Sequence, residues 1–323
     1  MTIMSNTPTT EAGIDIEIPE KPAIITTPPK AKNVHMASGV IKYTPTEDIG
    51  YVNMLIYGPF GSGKTILAAT AQQCPEMANV LFVDGEGGIK SIRDFGIAGV
   101  DTIRINNFPA FNKLYEFLKK HAHFRDIVLS TAKDDPVHQQ AWQNLIKLES
   151  WLKGKTEEEI AEPRLYQTVV LDSLTEIQKY AMYHILGIDI NQIALDADPV
   201  MPQIQHWGKN AEMIRLLVRA FRDLEMHTIF TTLDTVDKDE RDGSVMVGPS
   251  LPGKLSREIP AFLDIVGFMH VLKDPADPKL LRRVLQVQPQ GKYNAKSRYK
   301  SLGTAIEHPT MAKIFKTILS SQS

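Results

Sequence analysis

The chain has 323 residues, 43% of them hydrophobic, and its 36 Lys and Arg against 38 Asp and Glu leave a net charge of −2. That is enough apolar material for one large α/β domain, and the balanced charge excludes a global attraction to nucleic acid or anionic membrane, so any such contact needs a local patch. Cys74 is the single cysteine, which rules out an intrachain disulfide, and no stretch nears the roughly 18 apolar residues of a membrane span, so a cytoplasmic chain without a membrane part is expected.

Residues 1–45 are rich in Thr, Pro and Ile without periodicity, and prolines at positions 8, 19, 22, 28, 29 and 45 interrupt any helix. A disordered or loosely docked tail is expected there, followed by one domain over 46–323. Val52, Met54, Leu55, Ile56 and Tyr57 form an apolar run ending at Gly58, the form of a buried parallel strand, and 64–73 reads as a helix. Apolar runs at 80–84, 102–105, 168–172 and 227–232 read as further strands. Helical spacing recurs at 109–121, 137–152, 177–186 and 213–224, while 156–162 reads as a charged helix start or a loop. Strands alternating with helices imply a mostly parallel sheet flanked by helices. Beyond residue 240 the rhythm changes: 245–247, 265–272 and 280–287 are strand-like with no long helix between them, suggesting antiparallel additions, and a helix over 310–319 closes the chain.

Gly58-Pro59-Phe60-Gly61-Ser62-Gly63-Lys64-Thr65, followed by Ile66, fits G-x-x-x-x-G-K-[ST] between an expected strand and an expected helix. Glycines let successive amides converge on phosphate oxygens, Lys64 reaches the β and γ phosphates, and Thr65 is the expected Mg²⁺ ligand. Hydrolysis needs a second magnesium anchor and a group that positions water. Asp172, ending the apolar strand Thr168-Val169-Val170-Leu171-Asp172, has the form of that anchor, although Asp172 or Ser173 would equally cap the helix that follows. Glu86, in Asp84-Gly85-Glu86-Gly87-Gly88 after the next strand, is the candidate base, the alternative being a solvated polar turn. Asp84 to Gly87 also matches the D-x-x-G of GTPases, but no N-K-x-D or T-K-x-D element follows, so ATP is favoured.

With these residues in this order the chain resembles the RecA-like P-loop ATPases, and more closely the small RecA-core ATPases of bacteriophages associated with single-strand annealing and recombination. The resemblance covers about 51–299. It implies a RecA-like core that hydrolyses ATP with Mg²⁺, assembles as a homo-oligomer in a ring or filament, and acts on single-stranded DNA in a bacterial host cytoplasm. Thr228 to Asp234 is similar to the strand that carries a polar γ-phosphate sensor in RecA proteins, with Leu233 at the sensor position and Thr232 as a substitute. Lys296-Ser297-Arg298 is similar to the Lys-x-Arg element of the phage group. From 279 to 300 seven basic residues occur without an acid, with Tyr293 and Tyr299 interleaved, so Lys296 and Arg298 are candidates for a finger in a neighbour's ATP site or for a DNA contact, an exposed hairpin face being the third reading. Trp207, preceding a helix, is expected to anchor that helix to the core, stacking on a base or adenine being the alternative. Two rival functions stay open: a P-loop phosphotransferase, for which no Arg-rich lid is evident, and a nucleotide-gated assembly or packaging factor.

Overall fold

The computed structural model describes residues 34–35, 41–42, 50–192, 196, 198–238, 243–274, 277 and 281–320. The tail expected over 1–45 lies outside these residues, apart from the two-residue strands Val34–His35 and Ile41–Lys42, which pair antiparallel. No helix among the described residues is long and apolar enough to cross a membrane.

A mixed sheet forms the centre. Its strands are β1 (Asn53–Tyr57), β2 (Val80–Asp84), β3 (Asp101–Arg104), β4 (Thr168–Asp172), β5 (His227–Thr232), β6 (Ile265–Lys273), β7 (Leu281–Gln286) and β8 (Ala305–Glu307). They lie in the order β8-β7-β6-β1-β5-β4-β2-β3. Neighbours from β6 through β3 are parallel, whereas β7 runs antiparallel to both β6 and β8. The expected fold class, a mostly parallel α/β sheet with antiparallel strands added at the C-terminal end, is the one observed. A short strand, Lys296–Ser297, pairs with the start of β6, and a separate hairpin joins Asp234–Lys238 to Val245–Pro249.

Every residue of β2, β4 and β5 is buried, as strands covered on both faces must be. Alternation along β1 divides the interior. Leu55 and Tyr57 face one core, shared with α3 (Pro109–Ser130), α5 (Leu174–Ile185), α6 (Ile204–Arg222) and α7 (Leu255–Phe262). Met54 and Ile56 face the other, shared with α1 (Lys64–Ala69), α2 (Ile89–Asp94) and α8 (Met311–Leu319). Helix α4 (Pro136–Lys153) packs on α3 through a satellite cluster of Val128, Ala141 and Leu145.

Three expectations are corrected. Helix α3 continues beyond residue 121 to Ser130, because Ala122 still faces the main core and Val128 packs against Ala141 and Leu145 of α4. Helix α6 begins nine residues before the expected 213, and Trp207 does not anchor it: the indole is 50% exposed and Ile204 beside it 92%. Their exposure hides the helical period from a reading based on burial. Helix α7 was not foreseen at all; Pro260 sits within it.

Candidate nucleotide site

The phosphate loop, Asp172 and Glu86 lie at the C-terminal ends of the parallel strands. The loop from Gly58 to Thr65 leaves β1 and enters α1 with Gly58, Gly61 and Gly63 at φ of 152°, 70° and 99°. A methyl on Gly58 would stand 2.8 Å from the Met269 carbonyl oxygen, so both the backbone angle and the contact with β6 require glycine. Pro59, Phe60 and Gly61 form the exposed tip, with Phe60 90% exposed; Ser62 is buried and its hydroxyl has no partner among the described residues; Ile66 packs against the second core.

Lys64 is buried and folds back on its own loop, donating from Nζ to the carbonyls of Gly58 (2.9 Å) and Pro59 (2.8 Å). Burial lowers its pKa, opposed by the negative charges of Glu86, Asp172 and Asp234. Thr65 donates its hydroxyl to Asp172 Oδ2 at 2.9 Å. Asp172 is thus brought under the loop from 107 residues away. Its other oxygen accepts from the Thr231 hydroxyl. Burial pushes the Asp172 carboxyl up to about 6, against the Thr231 hydrogen bond, which favours the anion. Both Thr65 and Asp172 present hard oxygen donors side by side beneath a phosphate loop, the donor set that suits Mg²⁺ bound by one or two protein oxygens and the nucleotide. The alternative cap role of Ser173 is not used, since α5 has no side-chain cap at that position.

Glu86 sits exposed on the turn after β2. Two contacts fix it. The Ser173 hydroxyl donates to its Oε1. Asp84 Oδ1 accepts the amides of Glu86 (3.1 Å), Gly87 (2.7 Å) and Gly88 (3.1 Å), winding the turn around one buried carboxylate. Asp84 also pairs with Asp172 across β2 and β4, which sets Glu86 close to the Thr65–Asp172 pair. Sequence reasoning missed the roles of Asp84, Ser173 and Thr231. Thr231 reaches Asp172 because Leu171 pairs with Phe230, which puts the next residue on each strand on a shared face. Thr232 instead bonds Thr175 Oγ1 (2.9 Å) within the core, and Thr175 also accepts the amide of Leu233.

Lys296 and Arg298 lie elsewhere. Lys296 pairs with Val266, which pairs with Leu55, so it sits level with the middle of β1, before the strand reaches the loop. Its ammonium donates to the carbonyls of Pro260, Ala261 and Leu263 at 3.0 to 3.1 Å, closing the C-terminal end of α7. A finger or DNA contact at Lys296 would require the ammonium to leave these three carbonyls. Arg298 pairs with Asp264 at 2.8 Å but stays half-exposed. Tyr293 is no free stacking platform, since its ring stacks on Phe268 at 4.3 Å, and Tyr299 packs on the second core. Lys279 lies outside the described residues.

A family model described as an AAA domain matches residues 51–299. No curated protein is matched. Among solved structures the chain is similar to the RadB recombinase, at 14% identity and a TM-score of 0.32 over 80% of this chain and 86% of that one. It is also similar to the flagellar accessory protein FlaH from Methanocaldococcus jannaschii, at 11% identity and a TM-score of 0.34 over 82% and 89%.

Proposed function

The chain belongs to the AAA domain family, and from that membership we propose that it is a RecA-like ATPase that binds ATP with Mg²⁺ and hydrolyses it in DNA recombination, repair or single-strand annealing. The observation that carries the reading is the 2.9 Å bond between Thr65 and Asp172, which joins the phosphate loop to a carboxylate on a strand two places away in the sheet. Thr65 and Asp172 would hold Mg²⁺, which when bound neutralises the β and γ phosphate oxygens. The loop amides and Lys64 orient the triphosphate, Lys64 exchanging its two carbonyl partners for phosphate oxygens. Glu86, steered by Ser173 and by the Asp84 turn, orients the attacking water and takes its proton.

Homo-oligomerisation and single-stranded DNA as partner rest on the resemblance to recombination ATPases. The hairpin that leaves β5 directly after Thr231 and Thr232 fits that role, exposing Val236, Val245 and Met246 beside the site. Turnover of wild type, Lys64→Ala and Glu86→Gln, with and without single-stranded DNA, tests the reading. Lys64→Ala weakens both binding and turnover, while Glu86→Gln keeps ATP and slows hydrolysis by about 10²- to 10⁴-fold. Equal rates for wild type and Glu86→Gln remove Glu86 from the mechanism. Turnover indifferent to saturating DNA, with no DNA binding in low salt, removes the recombination part.

A further inference from the structure

Arg283, on β7, is partly buried, and its guanidinium has no ion pair and no hydrogen bond among the described residues. Its neighbours in the basic run are engaged: Arg282 with Asp274 and Glu307, Arg298 with Asp264. What Arg283 approaches is the phosphate loop. A methyl on Gly63 would stand 2.9 Å from Arg283 Nε and 3.1 Å from its Cδ. The register explains how it gets there. Leu285 pairs with Met269 and lies in the core shared with α1, and Arg283, two residues along the same strand, emerges on the same face at the rim of that core.

The position lacks a counter-ion among the described residues. The loop's amides and the Lys64 ammonium already make this corner positive, and the carboxylates that offset Lys64, namely Glu86, Asp172 and Asp234, follow or end β2, β4 and β5 on the other side of β1. A cation held there without a counter-ion gains its partner only when an anion enters the loop. We propose that Arg283 is a nucleotide-binding residue that grips the α- or β-phosphate of a nucleoside di- or triphosphate, from the flank opposite Asp172 and Glu86. This rests on the nucleotide-binding reading above and adds a specific ligand to it. Because Arg283 stands away from the catalytic carboxylates, it holds ADP and ATP alike and contributes equally to ground and transition states.

The test is equilibrium binding of ADP and of a non-hydrolysable ATP analogue, each with Mg²⁺, to wild type, Arg283→Met, which keeps the apolar stem, and Arg283→Lys, which keeps the charge. Arg283→Met weakens both nucleotides by a similar factor, about 10- to 100-fold for a lost charge-assisted hydrogen bond, and Arg283→Lys recovers part of it. The KM of Arg283→Met for ATP rises by a similar factor. The nucleotide-free stability of Arg283→Met, measured by urea unfolding, equals or exceeds that of wild type, which a merely structural arginine would not allow. Wild-type affinity retained by Arg283→Met overturns the assignment, as does weakening confined to the triphosphate. Wild type that binds neither nucleotide overturns the underlying reading instead.

Discussion

His227 is wholly buried at the start of β5, its Nδ1 accepting the amide of Val52 at 2.9 Å and its ring edge-on to Tyr51 and Phe315. Burial, reinforced by the nearby Arg125 charge, lowers its pKa to about 3, and burial does the same to His121. In the unfolded chain both titrate near the ordinary value of about 6.5, so the unfolded state takes up protons first as pH falls. The stability held above pH ~6.5 is therefore lost progressively down to about 3. Urea unfolding at pH 6 and pH 4.5 measures this: His227→Gln should lose about 2 kcal/mol less than wild type across that interval. An identical loss in the two proteins would mean that His227 is already charged when folded. Nothing in the sequence marks His227 as special, because a histidine opening an apolar strand looks the same whether its ring is buried or wet. Lys64, Thr65, Asp172 and Glu86 were recognisable because phosphate chemistry demands those side chains at strand ends.

At the scale of elements, the turn after β2 and the end of α7 show what pattern alone does not reach. Asp84 gathers three amides, a positioning task that follows from backbone geometry, and so it reads in the sequence as one more acid. Asp84→Ala should lower kcat by about 10- to 100-fold with KM for ATP little changed, because Glu86 is misplaced while the phosphate loop is untouched. Wild-type kcat in that variant would free Glu86 from its turn. Lys296 ties off α7, and its ammonium pKa is lowered, chiefly by burial. Lys296→Met should cost about 1–3 kcal/mol in urea unfolding and leave turnover per folded molecule unchanged. Full stability with lost turnover would return Lys296 to a neighbour's active site. The register that carries Lys296 to α7 and Arg283 to the loop is set by antiparallel pairing with β6, which no local pattern announces. The inner parallel strands β2 and β4, by contrast, were visible as apolar runs because both of their faces are covered.

The whole molecule is a sheet between two cores, and the nucleotide loop depends on the second of them. Thr70 accepts the amide of Met311 at 2.9 Å, so α8 is fastened to the segment that directly continues α1. Phe315 lies in that core against His227. Phe315→Ala should cost about 3–5 kcal/mol, read as a fall in the unfolding midpoint that bound nucleotide partly restores. An unchanged midpoint would mean that α8 is dispensable to the core. The hairpin beside the site has two points of purchase. One leg continues β5 just beyond Thr231, the Asp172 partner; the other is gripped by the Tyr57 hydroxyl, which donates to Val247 and Asn294 at the last residue of β1 before the loop. A stiff ribbon hung from two adjacent posts tilts when either post moves. Shifts of the phosphate loop relative to Asp172 would therefore be passed to both legs of the hairpin, Asp234–Lys238 and Val245–Pro249.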